Sequence, residues 1–126
     1  MTDDLVLAEL RALRDRVPHL RGGLVATCDG FLVAADLPEG VEPDHVAALT
    51  ATELSLSNRF ADIVCEGDFQ EVVIRCTGGH LAIYACGPRA ALALLTGPEA
   101  LIGHLHLEAR PTALAIAGAM AAATPA

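Results

Sequence analysis

Apolar residues recur at Val6, Leu10, Leu13 and Val17, while Glu9, Arg11, Arg14 and Asp15 fall on the other faces. That spacing predicts an amphipathic helix over Asp3 to Val17. Thr2 or Asp3 can cap its start, and Pro18 with Gly22-Gly23 ends it. Two short apolar runs then flank Asp29-Gly30, Leu24 to Thr27 before it and Phe31 to Ala35 after it. Asp-Gly between strand-like runs predicts a hairpin with a two-residue turn, because such turns need positive φ at their central positions. The second run does not alternate polar with apolar, which predicts cover on both faces of its sheet.

Pro38, Gly40 and Pro43 mark a loop, and Asp44 is a plausible N-cap for a second helix over His45 to Cys65. This helix carries two apolar stripes. Val46, Leu49, Leu56, Phe60 and Ile63 form the expected core face. Ala47, Ala51 and Leu54, with Asn58 below, form a narrower stripe of mostly small residues. That second stripe either lies on a partner, where small side chains let backbones approach, or simply widens the core face. Phe69 to Cys76 reads as a strand, with Glu71, Val73 and Arg75 on one face and Val72, Ile74 and Cys76 on the other. It is the most polar strand, which predicts a sheet edge. Gly78-Gly79 predicts a tight turn, His80 to Cys86 a fourth strand, and Ala90 to Thr96 a fifth after Gly87-Pro88-Arg89.

A last helix begins at Gly97-Pro98 and carries Leu101, Ile102, Leu105, Leu107, Leu114, Ile116 and Met120. Pro111 inside it predicts a kink or break near Glu108 to Thr112. The end, 121–126, is expected to fray. The resulting order is αββαβββα in a single domain over 1–126, with its core over 5–118. The fold class is α+β: a single five-stranded antiparallel sheet with helices on both faces. The two terminal helices share one face and the middle helix covers the other.

Composition narrows the function. The 126 residues carry a formal net charge of −8. Nucleic-acid phosphates and anionic membrane surfaces call for clustered Lys and Arg, so neither is an expected partner. No apolar run approaches the ~20 residues of a membrane span. The amino terminus is acidic where a signal peptide would be basic, so a cytoplasmic location is expected. Four cysteines, Cys28, Cys65, Cys76 and Cys86, contain no CxxC pair and are expected to be free and mostly buried.

Catalytic patterns are missing. There is no phosphate loop, no GxGxxG and no GxSxG elbow. His104 and His106 stand two apart on a helix, which points them to different faces, so no metal site is expected and both read as surface or helix-end residues. Cys65, Cys76 and Cys86 lack an electropositive neighbour that would activate a thiol. Glu108 and Arg110 read as a solvated helix face with a weak ion pair, or as a contact for a partner. No catalytic residue and no cofactor is expected.

The segments VPHLRGGLVATCDGFLVAADLP, VAALTATELSLSNRF, FQEVVIRCTGGHLAIYACGP and HLHLEAR together resemble the roadblock (dynein light-chain 7) domain family in its short bacterial form. The resemblance runs from about Leu7 to Ala117. It implies a roadblock/profilin-like fold and a homodimer, or a dimer with another roadblock-type chain. In such dimers the third strands pair at the sheet edge and the central helices lie side by side. The corresponding positions here are Glu71, Val73 and Arg75, and Ala47, Ala51, Leu54 and Asn58. MglB-type members bind a small Ras-like GTPase and accelerate its hydrolysis without supplying an arginine finger, and others are scaffolds. The expected function is therefore a non-enzymatic dimeric adaptor that tunes a small Ras-like GTPase, with Thr50, Glu53 and Ser57 as exposed contacts. The alternatives are a small-ligand sensor module, weakened by the scarcity of aromatics and buried polar anchors, and an enzyme working through cysteine, weakened by the missing base.

Overall fold

The computed structural model describes residues 1–123. Helix α1 spans Thr2–Arg16, strand β1 Leu20–Thr27 and strand β2 Leu32–Asp36. Helix α2 spans Pro43–Phe60 and widens into a π-helical turn over Ala61–Cys65. Strands β3, Glu71–Cys76, β4, Gly79–Ala85, and β5, Ala90–Thr96, precede helix α3, Ile102–Ala123. The strands form one antiparallel sheet in the order β2-β1-β5-β4-β3. The predicted element order and sheet are those observed, and β3 lies at an edge.

Two apolar layers hold the helices to the sheet. On one face Val6, Leu10 and Leu13 of α1 and Leu105 and Ile116 of α3 pack on Leu92 and Leu94. On the other, Ala47 and Leu54 of α2 pack on Leu24, Ala26, Ile83, Ala91 and Ala93. The two terminal helices therefore share one face, as predicted. Burying a leucine or isoleucine side chain contributes roughly 1.5–3 kcal/mol, so these layers are the main source of cohesion.

Local chemistry moves several boundaries. The first hairpin is closed by three residues, Cys28, Asp29 and Gly30, not two. The Gly30 amide donates to the Thr27 carbonyl at 2.9 Å and Gly30 sits at φ 91°, which is the geometry of a type I turn followed by a left-handed residue. The Phe31 amide adds a 3.1 Å bond to the Thr27 hydroxyl. The second turn is Thr77-Gly78, since Cys76 pairs with Gly79. Helix α1 starts at Thr2 with Met1 in the cap position. Helix α2 starts at Pro43, with Glu42 rather than Asp44 at the cap, because proline's missing N–H costs nothing in a first turn. Gly22 is required for close approach: a Cβ there would collide with the carbonyl oxygen of Asp36.

Of the expected kink or break near Glu108 to Thr112, the break does not occur: helix α3 is continuous through Pro111. Pro111 is exposed and lacks the amide that would bond the Leu107 carbonyl, while Leu105, Ala109 and Ile116 on either side of it pack in the core and hold the helix in place. The end expected to fray is helical through Ala123, and 124–126 lie outside the described residues.

Candidate partner interface

Helix α2 turns its small residues inward. Ala47, Thr50, Ala51, Leu54 and Ser57 are buried, with Thr50 1% and Leu54 4% exposed. The sheet beneath contributes Ala26, Ala91 and Ala93, and Ala47 and Leu54 of the helix pack against them. This corrects two expectations. Ala47, Ala51 and Leu54 face the chain's own core and not a second copy. Thr50 and Ser57 are not exposed contacts: the Thr50 hydroxyl donates to the Val46 carbonyl at 2.8 Å, and the Ser57 hydroxyl donates to the Glu53 carboxylate at 3.3 Å. Glu53 is half-buried, and of the predicted stripe only Asn58 is exposed.

The large apolar residues expected in the core face outward instead. Leu49, Leu56, Phe60 and Ile63 are exposed, Phe60 by 58% and Ile63 by 73%, and Val64 joins them. Only Val46 of that expected face is half-buried on the core. Spacings of 7, 4 and 3 place the four on one stripe of the helix. Contiguous exposed apolar surface of this kind marks an interaction site. Beside it, between α2 and the first hairpin turn, lies an open groove of ≈ 630 Å³ lined by Asp29, Gly30, Ala48, Thr52, Ser55 and Arg59.

The β3 edge is the second exposed feature. The Ala85 amide donates to the Gln70 carbonyl at 2.9 Å, and the register continues as Val72↔Ile83, Ile74↔Leu81 and Cys76↔Gly79. In an antiparallel ladder bonded pairs alternate with non-bonded ones. The amides and carbonyls of Glu71, Val73 and Arg75 therefore point out of the sheet, away from β4. Their side chains lie on the α3 face, where Val73 packs on the core and Glu71 meets Arg110.

A polar cluster ties this edge to α3. Arg110 donates Nε and Nη2 to the two Glu71 carboxylate oxygens at 2.8 and 2.9 Å. His106 Nδ1 lies 3.2 Å from Glu71 Oε2 and 2.8 Å from the Tyr84 hydroxyl. The Arg110 hydrogen bonds hold the Glu71 carboxyl below the usual carboxylate range, against the opposing effect of burial, and His106 assists. Burial pushes the Tyr84 phenol up. His106 is thus not a plain surface residue, and Arg110 pairs with the edge strand rather than with Glu108. Glu108 instead meets Arg16 of α1 at 2.9 Å. Nothing in the sequence marked these pairings, because their members lie on different elements.

Replacing Arg110 by methionine is expected to lower stability modestly in neutral buffer. The sign follows from Glu71. A carboxyl with a depressed folded pKa adds stability above its ordinary pKa and loses it as pH falls through the depressed value. The gap between wild type and variant should close once the pH lies well below the carboxylate range, as urea titrations at the two pH values would show. A gap unchanged by acid would mean that Arg110 acts through its packing alone.

The thiols offer little chemistry. Cys28, Cys65 and Cys76 are exposed, against the expectation of mostly buried thiols, and only Cys86 is buried. Burial pushes the Cys86 thiol up to about 12, which keeps it protonated and inert. Among the described residues no three His, Cys, Asp or Glu side chains converge to hold a metal ion. No helix among them is long and apolar enough to cross a membrane.

The Roadblock/LC7 domain family model matches residues 6–96, from α1 through β5. The chain belongs to the Roadblock/LC7 domain family. No curated protein matches it. Among solved structures, the Roadblock/LC7 domain from Streptomyces avermitilis is 25% identical, with a TM-score of 0.84 over 91% of this chain and 97% of that one. An MglB with a tetrameric arrangement is 23% identical, with a TM-score of 0.90 over 98% and 93%. The gliding protein MglB from Thermus thermophilus is 21% identical, with a TM-score of 0.86 over 98% and 93%. The two MglB likenesses establish shared architecture. Helix α3 lies outside the matched span of this Roadblock/LC7 domain.

Proposed function

We propose that this Roadblock/LC7 domain works as a non-enzymatic dimeric adaptor that binds a small Ras-like GTPase in the cytoplasm and modulates its GTP/GDP cycle. The observation that carries this reading is the apolar outer face of α2, found in the same chain as an open sheet edge at β3. Both features are self-complementary. If two α2 helices lie antiparallel about Leu56, Leu49 meets the partner's Ile63, Phe60 meets the partner's Thr52 beside the groove, and Glu53 meets the partner's Arg59. If two β3 strands pair antiparallel about Val73, Glu71 stands opposite the partner's Arg75. Opposite charges across a strand pair contribute roughly 0.2–1 kcal/mol each. A two-fold dimer requires this reciprocity. The same faces would serve a second roadblock-type chain.

The dimer would offer the GTPase a platform formed by the paired α2 helices and their flanking grooves. Such a platform alters the nucleotide cycle only by binding one switch-loop state better than the other. The structural likeness to MglB supports a partner of this class. The test is capture from lysate of the native host, once with a GTP analogue and once with GDP, followed by binding and hydrolysis with the purified GTPase. Recovery with the GTP analogue alone is expected, and faster hydrolysis would assign an activating role. Equal recovery in both states would assign a scaffold. Absence of a GTPase from both samples would overturn the reading.

A further inference from the structure

Helix α3 carries an outward stripe that the fold does not use. Gly103, Leu107, Pro111, Leu114 and Gly118 all lie exposed along one face. Leu107 is 69% and Leu114 76% exposed. A Cβ added at Gly103 or Gly118 would meet nothing within 4 Å, so the chain's own packing does not call for glycine at either position. Glycine disfavours a helix, and its usual compensation is close approach of another backbone.

The stripe reads the same in both directions. Leu107 and Leu114 are equidistant from the midpoint between Arg110 and Pro111, and so are Gly103 and Gly118. An antiparallel copy therefore sets Leu107 against the partner's Leu114 and Gly103 against the partner's Gly118, twice over. Charge does not oppose the same occupant at this stripe. A chain of net charge −8 repels its own copies over most of its surface. This stripe bears no acidic group, and the one cation at its border, Arg110, is held by Glu71. The absence of a basic cluster speaks against an anionic membrane.

We propose that the outer face of α3 is a second homotypic interface, where α3 of one chain lies antiparallel on α3 of another chain. One helix laid on another is small for an interface, so the association depends on concentration. It gains by avidity where two chains are already joined. Helix α2 lies on the opposite face of the sheet, so the two contacts together build a closed tetramer or a filament. The proposal does not depend on the α2 pairing.

Sedimentation velocity over a dilution series of the full chain tests it, with Leu114→Glu and Gly118→Leu as variants. Both side chains point into open solvent, and thermal melts monitored by circular dichroism establish that the variants fold. The wild-type mass is expected to rise with concentration to at least twice that of either variant. Leu56→Glu with Phe60→Glu, which removes the α2 contact, should leave this rise in place, so the two interfaces fail separately. Register is read by disulfide trapping with Cys28, Cys65 and Cys76 replaced by serine. A Leu107→Cys, Leu114→Cys pair should crosslink two chains, while each single variant should not. Within one helix those positions stand roughly 10 Å apart, beyond disulfide reach. Equal masses for wild type and variants at every concentration would overturn the proposal. So would crosslinking by a single variant as efficient as by the pair. Flotation of wild type but not variant with phosphatidylserine vesicles, with no change in mass, would assign the stripe to a membrane instead.

Discussion

Replacing Leu56 and Phe60 together by glutamate should give a protein that stays folded but is monomeric in dilute solution. Both residues are exposed within one chain, so the change removes no core contact. Surface substitutions of this kind move intrinsic stability by about 0.5 kcal/mol or less. The effect on self-association should be far larger. A large apolar anchor at the centre of an interface contributes roughly 2 kcal/mol, which is a factor of about 30 in affinity. Two such losses weaken pairing on the order of 1,000-fold. In the proposed geometry the carboxylate introduced at position 56 would also face its own copy, on a chain already at −8. Light scattering on an eluting column reads the mass directly. A double variant that remains dimeric would move the interface off α2.

Leu54 gives the opposite result. It lies on the same helix as Leu56 and Phe60, yet is 4% exposed and packed on the sheet. Leu54→Ala is expected to cost about 3 kcal/mol, from lost transfer energy and the cavity left behind, and to lower the melting temperature by roughly 10 °C. Leu54→Glu should not fold, because an unpaired carboxylate would be buried against alanine. Denaturant unfolding at fixed protein concentration measures the first. A Leu54→Ala protein as stable as wild type but monomeric would return the small-residue stripe to the interface.

The contrast explains what the sequence could convey. Period and punctuation carried the fold: alternation on β3, the Asp-Gly signal before Phe31, proline and glycine between elements. These depend on the local backbone, which sequence encodes directly. Helix α2 misled because both of its stripes have helical period, and size suggested that the larger one faces in. The deciding fact is the surface beneath it. Ala26, Ala91 and Ala93 come from strands far apart in the chain, and it is Ala47 and Leu54 of α2 that pack on them. The bulky residues are then turned outward. The Glu71, His106 and Arg110 cluster was hidden for the same reason, since β3 and α3 meet only after folding. Pro111 misled differently. A proline removes one hydrogen bond and crowds the carbonyl four residues back, a local cost that the core packing of Leu105, Ala109 and Ile116 around it offsets, and that packing is a tertiary property.

The edge-strand amides test the dimer most directly. Amide hydrogen exchange would be followed residue by residue in wild type and in the Leu56→Glu, Phe60→Glu variant. Val72, Ile74 and Cys76 bond to β4 within one chain and should be protected in both proteins. Glu71, Val73 and Arg75 point out of the sheet and should be protected only in wild type, where a second β3 covers them. Free exchange at those three positions in wild type, at concentrations where it is dimeric, would contradict pairing through this edge.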